Sequence, residues 1–102
     1  MKVLFMYRYG ILGGVCTQLF HRLRHLPNSD NIEIHCGFRS DHGVKAMLED
    51  YATLHFGLTK ETTTSFLEEN NFDIIVIIDT EEYIHAVEVA NIDSKILIEV
   101  HT

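Results

Sequence analysis

The segment that most restricts the fold is a run of five aliphatic residues, Ile74 to Ile78, with an aspartate at each end. Such a run is typical of a strand in a parallel sheet, because that strand is covered on both faces and has no position that faces water. No apolar run of the chain is longer, and five residues are far fewer than the roughly 18 of a membrane-spanning helix. The sequence therefore predicts a central parallel strand and no transmembrane segment.

Four other segments have the character of strands, and a helical pattern separates each from the next. The five predicted strands cover residues 3–7, 31–38, 53–56, 73–79 and 95–100. The first predicted helix starts at Val15 and is stopped by Pro27. The second is capped by Ser40 and carries Val44, Met47, Leu48 and Tyr51 on one face, the third covers residues 60–70, and the fourth follows Thr80, with Glu81 and Glu82 in its first turn.

Strands and helices thus alternate without a hairpin signal, which predicts an α/β fold. Right-handed crossovers then give a Rossmann-like parallel five-stranded sheet with helices on both faces, for which we predict the strand order 3-2-1-4-5. With 102 residues, the chain has room for one domain.

The charge and cysteine content narrow the class of protein. Eight Lys and Arg against 15 Asp and Glu give a net charge of -7, which argues against a nucleic-acid partner. No signal peptide is recognisable, and the two cysteines, Cys16 and Cys36, form no CxxC motif, so we predict a cytoplasmic location and reduced thiols. The histidines show no metal-ligand spacing, and neither a metal nor a cofactor is predicted.

In sheets of this kind ligands bind beyond the carboxyl ends of the strands, which selects Arg8 to Val15, Asp79 to Glu82 and His101 as the candidate surface. Gly13 and Gly14 directly precede the first helix. They either let an anionic group approach free backbone N–H groups or form a tight turn that needs a positive φ. Cys16 lies in the first helical turn, where it is either an inert packed residue or a thiol activated by the helix end.

Three segments share the order and spacing of landmarks in one enzyme family: KVLFMYRYGILGGVCTQLFHRLRHL at the amino terminus, FDIIVIID at 72–79, and KILIEVHT at the carboxyl terminus. Together they resemble the front part of the N-terminal domain of GT-B glycosyltransferases of group 1 (GT4-like). The resemblance implies transfer of a sugar from a nucleotide-sugar donor to an acceptor, with retention and without a metal. Gly13 and Gly14 would meet the donor phosphates or the acceptor, and His101 would contact the donor sugar as the catalytic histidine.

The same resemblance implies that residues 1–102 are a partial N-terminal Rossmann-like domain, on the acceptor side of an enzyme whose C-terminal domain lies outside this sequence. The chain alone is then expected to be inactive. A cationic group in the first helix, His21, Arg22, Arg24 and His25, leaves open a peripheral membrane association of the parent protein. The alternative is a free-standing Rossmann-like ligand-binding or interaction module without catalysis.

The predicted order leaves the last strand, Lys95 to Val100, at the edge of the sheet with unpaired backbone groups beside apolar side chains. Exposed edges of this kind pair with another chain. The sequence therefore also predicts a homodimer through this strand.

Overall fold

The computed structural model describes residues 1–26 and 31–100, and within them the chain forms seven strands and four helices. In chain order these are β1 (Lys2–Met6), β2 (Tyr9–Ile11), α1 (Gly14–Arg24), β3 (Glu33–Gly37), β4 (Ser40–His42), α2 (Val44–Leu48), β5 (Thr53–His55), α3 (Thr63–Asn70), β6 (Ile74–Ile78), α4 (Glu81–Val89) and β7 (Lys95–Glu99). The predicted stop of the first helix at Pro27 lies outside the described residues.

The main sheet has the order β5-β3-β1-β6-β7, and every neighbouring pair in it is parallel. The short strands β2 and β4 pair with each other in a separate two-stranded parallel sheet, which the sequence did not predict. When these two are left out of the count, the order is third, second, first, fourth, fifth. The predicted Rossmann-like α/β sheet is therefore confirmed.

One face of the main sheet packs against α1 and α2. Phe5, Cys36 and Val76 alternate with residues of the other face along their strands, as the two-residue period of a strand requires. They meet the apolar sides of the two helices, where Leu19 and Leu48 are buried. This layer holds α1 against the centre of the sheet.

The other face packs against α3 and α4. Leu4, Ile75 and Ile77 contribute from the strands, and Leu67 of α3 and Tyr83 of α4 cover them. The buried Tyr83 hydroxyl donates a hydrogen bond of 2.6 Å to the carbonyl of Leu58, and so satisfies its polar atom. Each face of the sheet has its own buried apolar cluster. The apolar residues therefore recur along the sequence with the periods of strands and helices, and these periods predicted the fold class.

The second predicted helix needs correction. Ser40 is not its cap, because β4 takes this residue into a pair with Tyr9 of β2. Asp41 supplies the side-chain acceptor instead, since its Oδ1 atom receives the backbone N–H groups of Gly43 and Lys45 at 3.1 Å each. The helix ends at Leu48, so Tyr51 lies beyond it and is exposed.

The third helix begins at Thr63 rather than at Lys60. A turn precedes it, in which Thr59 N–H donates to the Thr62 hydroxyl oxygen at 2.9 Å and the Thr62 hydroxyl donates to the Gly57 carbonyl at 2.9 Å. Threonine side chains that bond the local backbone compete with helix formation, which is why the helix starts late.

Strand β7 lies at one edge of the sheet, as predicted, and pairs with β6 alone among the described residues. Leu97 and Ile98 are 43% and 53% exposed, and Val100 beyond the strand is 70% exposed. Arg22 of α1 donates two hydrogen bonds of 3.0 Å to the two carboxylate oxygens of Glu99. No helix within residues 1–26 and 31–100 is long and apolar enough to cross a membrane.

Candidate functional site at the carboxyl edge of the sheet

The carboxyl ends of β1, β3 and β6 meet at one edge of the sheet because the strands are parallel. Arg8 lies just beyond β1, and its backbone N–H donates to the hydroxyl oxygen of Thr80 at 3.1 Å. The same hydroxyl donates to the carbonyl of Ile78 at 2.9 Å. Thr80 precedes α4 as predicted, but its hydroxyl connects the ends of β1 and β6 and does not bond a helical N–H.

Glu82, in the first turn of α4, lies between two guanidinium groups. Its Oε2 atom accepts a hydrogen bond of 2.5 Å from Nη2 of Arg39, while Nε of Arg8 lies 3.9 Å from Oε1. The Glu82 side chain is 16% exposed. Both Arg8 Nε and Glu82 Oε1 are buried without a hydrogen-bond partner. The carboxylate is therefore firmly bound to Arg39 and only in electrostatic contact with Arg8.

An open cavity of about 420 Å³ lies beside this group. It is lined by Arg8, Lys60, Glu81, Glu82 and His85. Arg8 comes from the loop after β1, Lys60 from the turn before α3, and the other three from α4. Within the described residues, neither Lys60 Nζ nor the terminal nitrogens of Arg8 donate a hydrogen bond.

Gly13 directly precedes α1, as predicted, whereas Gly14 is the first residue of the helix, which was predicted to start at Val15. Gly13 has an extended conformation, with φ −144° and ψ −174°, and Gly14 does not have a positive φ either. The interpretation as a turn that needs a positive φ is therefore wrong. A Cβ atom at Gly14 would meet nothing within 4 Å, and one at Gly13 would meet only the Ile11 side chain at 4.0 Å.

Gly10 contrasts with this pair. A Cβ atom at Gly10 would lie 2.0 Å from the backbone carbonyl oxygen of Ser40, because β2 and β4 approach each other closely at this point. The segment from β2 to α1 thus contains one glycine that packing requires, Gly10, and two glycines that border open space, Gly13 and Gly14.

The cysteines behave as packed residues. Burial raises the pKa of the Cys16 thiol to about 11, and burial together with the nearby Cys16 raises that of Cys36 to about 12. Both thiols are free and buried. The helix end does not activate Cys16, so the interpretation of Cys16 as a reactive thiol is wrong.

A group of rings that the sequence did not reveal lies on the α3 side of β3 and β5. Nδ1 of His35 is 2.9 Å from Nε2 of His55, and Nε2 of His35 is 2.5 Å from a carboxylate oxygen of Glu33. Phe72 packs edge-on against His35 and Phe66 packs edge-on against His55, while the two phenyl rings are tilted against each other. No group of three or more His, Cys, Asp or Glu side chains in the described parts of the chain is arranged to hold a metal ion.

His101 lies outside the described residues, so its role stays a prediction. The strand before it, β7, is parallel to β6, which is parallel to β1. The carboxyl ends of all three strands therefore lie at the same edge. A comparison with models of protein families, with curated proteins and with solved structures finds no match to this chain.

Proposed function

We propose that the chain is the N-terminal, acceptor-side part of a retaining GT-B glycosyltransferase, which transfers a sugar from a nucleotide-sugar donor to an acceptor. The observation that carries the proposal is the open space at Gly13 and Gly14, at the start of α1. A ligand can approach the backbone there without displacing a side chain. The Rossmann-like strand order supports the same proposal, because ligands of such sheets bind at this edge.

The chemistry at Gly13 and Gly14 is electrostatic. The first N–H groups of a helix lack intrahelical acceptors and carry the positive end of the helix dipole. In α1 no acidic side chain occupies the first turn, and no side chain caps it. These N–H groups would stabilise the negative charge that develops on a leaving diphosphate or on a bound acceptor.

His101 completes the proposal as the residue that contacts the donor sugar. The imidazole would hydrogen-bond the sugar near the reacting carbon, at the edge that also holds Gly13 and Gly14. The parallel course of β1 and β7 supports this placement. The remaining donor contacts would come from a second domain, so we expect no transfer activity from these 102 residues.

The alternative function, a Rossmann-like module that binds a ligand without catalysis, is favoured by one observation. The cavity between Arg8, Lys60 and α4 is built from residues of this chain alone. A complete small-ligand site within one Rossmann-like domain would need no second domain.

The test is a titration of the isotope-labelled chain with uridine and guanosine diphosphate sugars, followed by heteronuclear NMR and calorimetry. We expect shifts at the amides of Gly13, Gly14 and Val15, with an affinity weaker than about 10 μM, which is nearly 7 kcal/mol. Tighter binding would count against a donor site shared between two domains. Shifts confined to the opposite edge of the sheet, or none, would overturn the proposal.

The variant Gly13→Asp sharpens this test, since it should change stability and binding in opposite directions. The extended conformation of Gly13 suits aspartate, which is a preferred residue before a helix, so the variant should gain about 0.5 kcal/mol in the free energy of unfolding. Its carboxylate should nevertheless repel a diphosphate. Gly13→Asn is the matched control, because its side chain competes for the same N–H groups without carrying a charge. The further loss of binding in Gly13→Asp relative to Gly13→Asn therefore measures the electrostatic repulsion.

A further inference from the structure

We infer that the cavity between Arg8, Lys60 and the first turns of α4 binds the phosphate group of a small phosphorylated molecule. The inference deepens the proposed function, on which it rests for one point only: the phosphorylated molecule would be the acceptor of sugar transfer. The binding of phosphate itself does not depend on the transferase proposal.

The first argument is the distribution of charge. The whole chain carries a net charge of -7, and it has only eight Lys and Arg residues. Three of these, Arg8, Arg39 and Lys60, come from three separate loops to the carboxyl edge of the sheet. Two carboxylates, Glu81 and Glu82, lie beside them, and Glu82 bonds Arg39, so Arg8 and Lys60 are the cations whose terminal nitrogens remain for an anionic ligand.

The second argument concerns the cations whose terminal nitrogen atoms can still donate hydrogen bonds to a ligand. Glu82 bonds the Nη2 atom of Arg39 but reaches only the Nε side of Arg8, at 3.9 Å. The guanidinium of Arg8 also lies over the Tyr9 ring, with its Cζ atom 4.5 Å from the ring centre. These contacts orient the Arg8 side chain, and the N–H groups of its two terminal nitrogens remain available to a ligand. A guanidinium fork of this kind matches two phosphate oxygens.

Lys60 supplies the second charge of the lining, from the turn before α3. It is exposed, and its ammonium group bonds no acceptor in the described residues. An ammonium group acts on a phosphate as a point charge, complementing the directed bonds of an arginine. Glu81 and His85, also on the wall, are polar groups that suit hydroxyls on the rest of the ligand.

The size of the cavity decides the class of ligand. A volume of about 420 Å³ lies in the range of about 300–1,000 Å³ that small-molecule sites occupy. The lining contains two cations, Arg8 and Lys60, which is too few for the stripe of basic residues that nucleic acids require. A small polyhydroxylated molecule with one phosphate fits both observations.

The experiment titrates the chain with inorganic phosphate, glycerol phosphate and glycerol at constant ionic strength, with NMR shifts as the readout. We expect both phosphates to shift amides of residues around Arg8, Lys60 and Glu81, and glycerol to shift none. Lys60→Gln should weaken phosphate binding about five-fold, and Arg8→Gln should weaken it more. Lys60 is exposed, so its variant is expected to fold even if the Arg8 variant does not.

Lys95→Gln is the matched control, because it makes the same charge change at the opposite edge of the sheet, at the start of β7. It should leave phosphate binding unchanged. An equal loss in Lys60→Gln and Lys95→Gln, or equal binding of glycerol and glycerol phosphate, would overturn the inference. A further measurement uses vesicles that contain phosphatidic acid. If the chain sediments with these vesicles and the Lys60→Gln variant does not, the phosphate belongs to a lipid headgroup.

The two proposals fail separately. Phosphate binding at the cavity, without a response of Gly13 and Gly14 to nucleotide sugars, would keep the phosphate site and remove the transferase. If nucleotide sugars shift the amides of Gly13 and Gly14 but phosphate does not bind at the cavity, the transferase proposal would stand and the phosphate site would be removed.

Discussion

The two edge strands of the main sheet differ in how their faces are covered. On the α3 side of β5, His55 stacks on His35 with ring centres 5.1 Å apart, and Phe66 lies against it. On the other side, Leu54 joins the core beneath α1 and α2. Strand β7 is longer, yet Leu97 and Ile98, which point to opposite faces, are both about half exposed.

Within residues 1–26 and 31–100, four helices cover the first four strands of the main sheet along the chain and leave most of β7 exposed. Strand β7 is retained by its ladder with β6, by the packing of Ile96, and by the Arg22–Glu99 pair. Apolar surface left in this way is characteristic of a protein contact. The following predictions test how far the two edges differ.

The largest effect concerns self-association. We predict a symmetric dimer through β7 that is detectable by sedimentation near 100 μM, which corresponds to about 5 kcal/mol. The hydrogen bonds of β7 decide which residue to replace. Lys95 N–H donates to the Asp73 carbonyl, and the Glu99 carbonyl accepts from Asp79 N–H. Since backbone groups alternate along a strand, Leu97 N–H points to β6 and Ile98 N–H points away from the sheet. Ile98→Pro should therefore give a monomer with a stable sheet.

Leu97→Pro is the comparison variant, because it removes a donor from the ladder with β6 and should destabilise the fold itself. A wild-type chain that sediments as a monomer at this concentration would remove the proposed dimer. So would an Ile98→Pro variant that remains dimeric.

The next largest effect is a difference in stability between two alanine variants, one beside each edge of the sheet. Phe72 is 3% exposed and packs its ring against His35 and Phe66, so Phe72→Ala should lower the free energy of unfolding by about 3 kcal/mol. Leu97→Ala at the open edge should lower that of the monomer by less than about 1 kcal/mol. Urea unfolding of dilute protein measures both, and equal losses would show that β7 is as well packed as the β5 side.

The smallest effect is a dependence of stability on pH that belongs to the β5 edge. Burial lowers the pKa of His55, aided by His35 and Lys2, and the bond to His35 lowers that of Glu33. Both folded groups bind protons less readily than in the unfolded chain, so their stabilising contribution is full above the ordinary pKa of each group. It is lost as the pH falls below 6.5 for His55, and below 4.5 for Glu33, through the lower pKa of the folded state. His55→Gln should flatten the upper part of this dependence in unfolding midpoints between about pH 7.5 and about pH 5. His85→Gln, an exposed control in α4, should not.

The sequence was sufficient for the fold because periodicity is a local signal. The strand predicted at 73–79 is β6, which covers the five aliphatic residues Ile74–Ile78 without the aspartate at either end, and the alternation of strands and helices predicted the sheet. The two strands β2 and β4 were missed because three residues are too few to show a period, and one of the three residues in β2 is a glycine. Their pairing also took Ser40 away from its expected place before a helix.

The site was only partly predictable, for a different reason. The rule for parallel sheets selected Arg8 and Glu82 correctly as members of one edge. Arg39 and Lys60 were not selected, since each lies in a loop whose position depends on the packing of distant segments. The pair of His35 and His55 was missed likewise, because the neighbouring strands β3 and β5 bring it together across the sheet.

The three glycines near β2 and α1 have a consequence for how this sequence can diverge. At Gly10 even a methyl group would collide with the Ser40 carbonyl, so descendants that retain the β2–β4 pair must retain this glycine whatever they bind. Steric exclusion imposes no such constraint on Gly13 and Gly14, where larger residues fit and extended geometry is already present at Gly13. Invariance at position 10 would therefore reflect the packing of β2 against β4, whereas invariance at 13 and 14 would reflect selection for ligand binding.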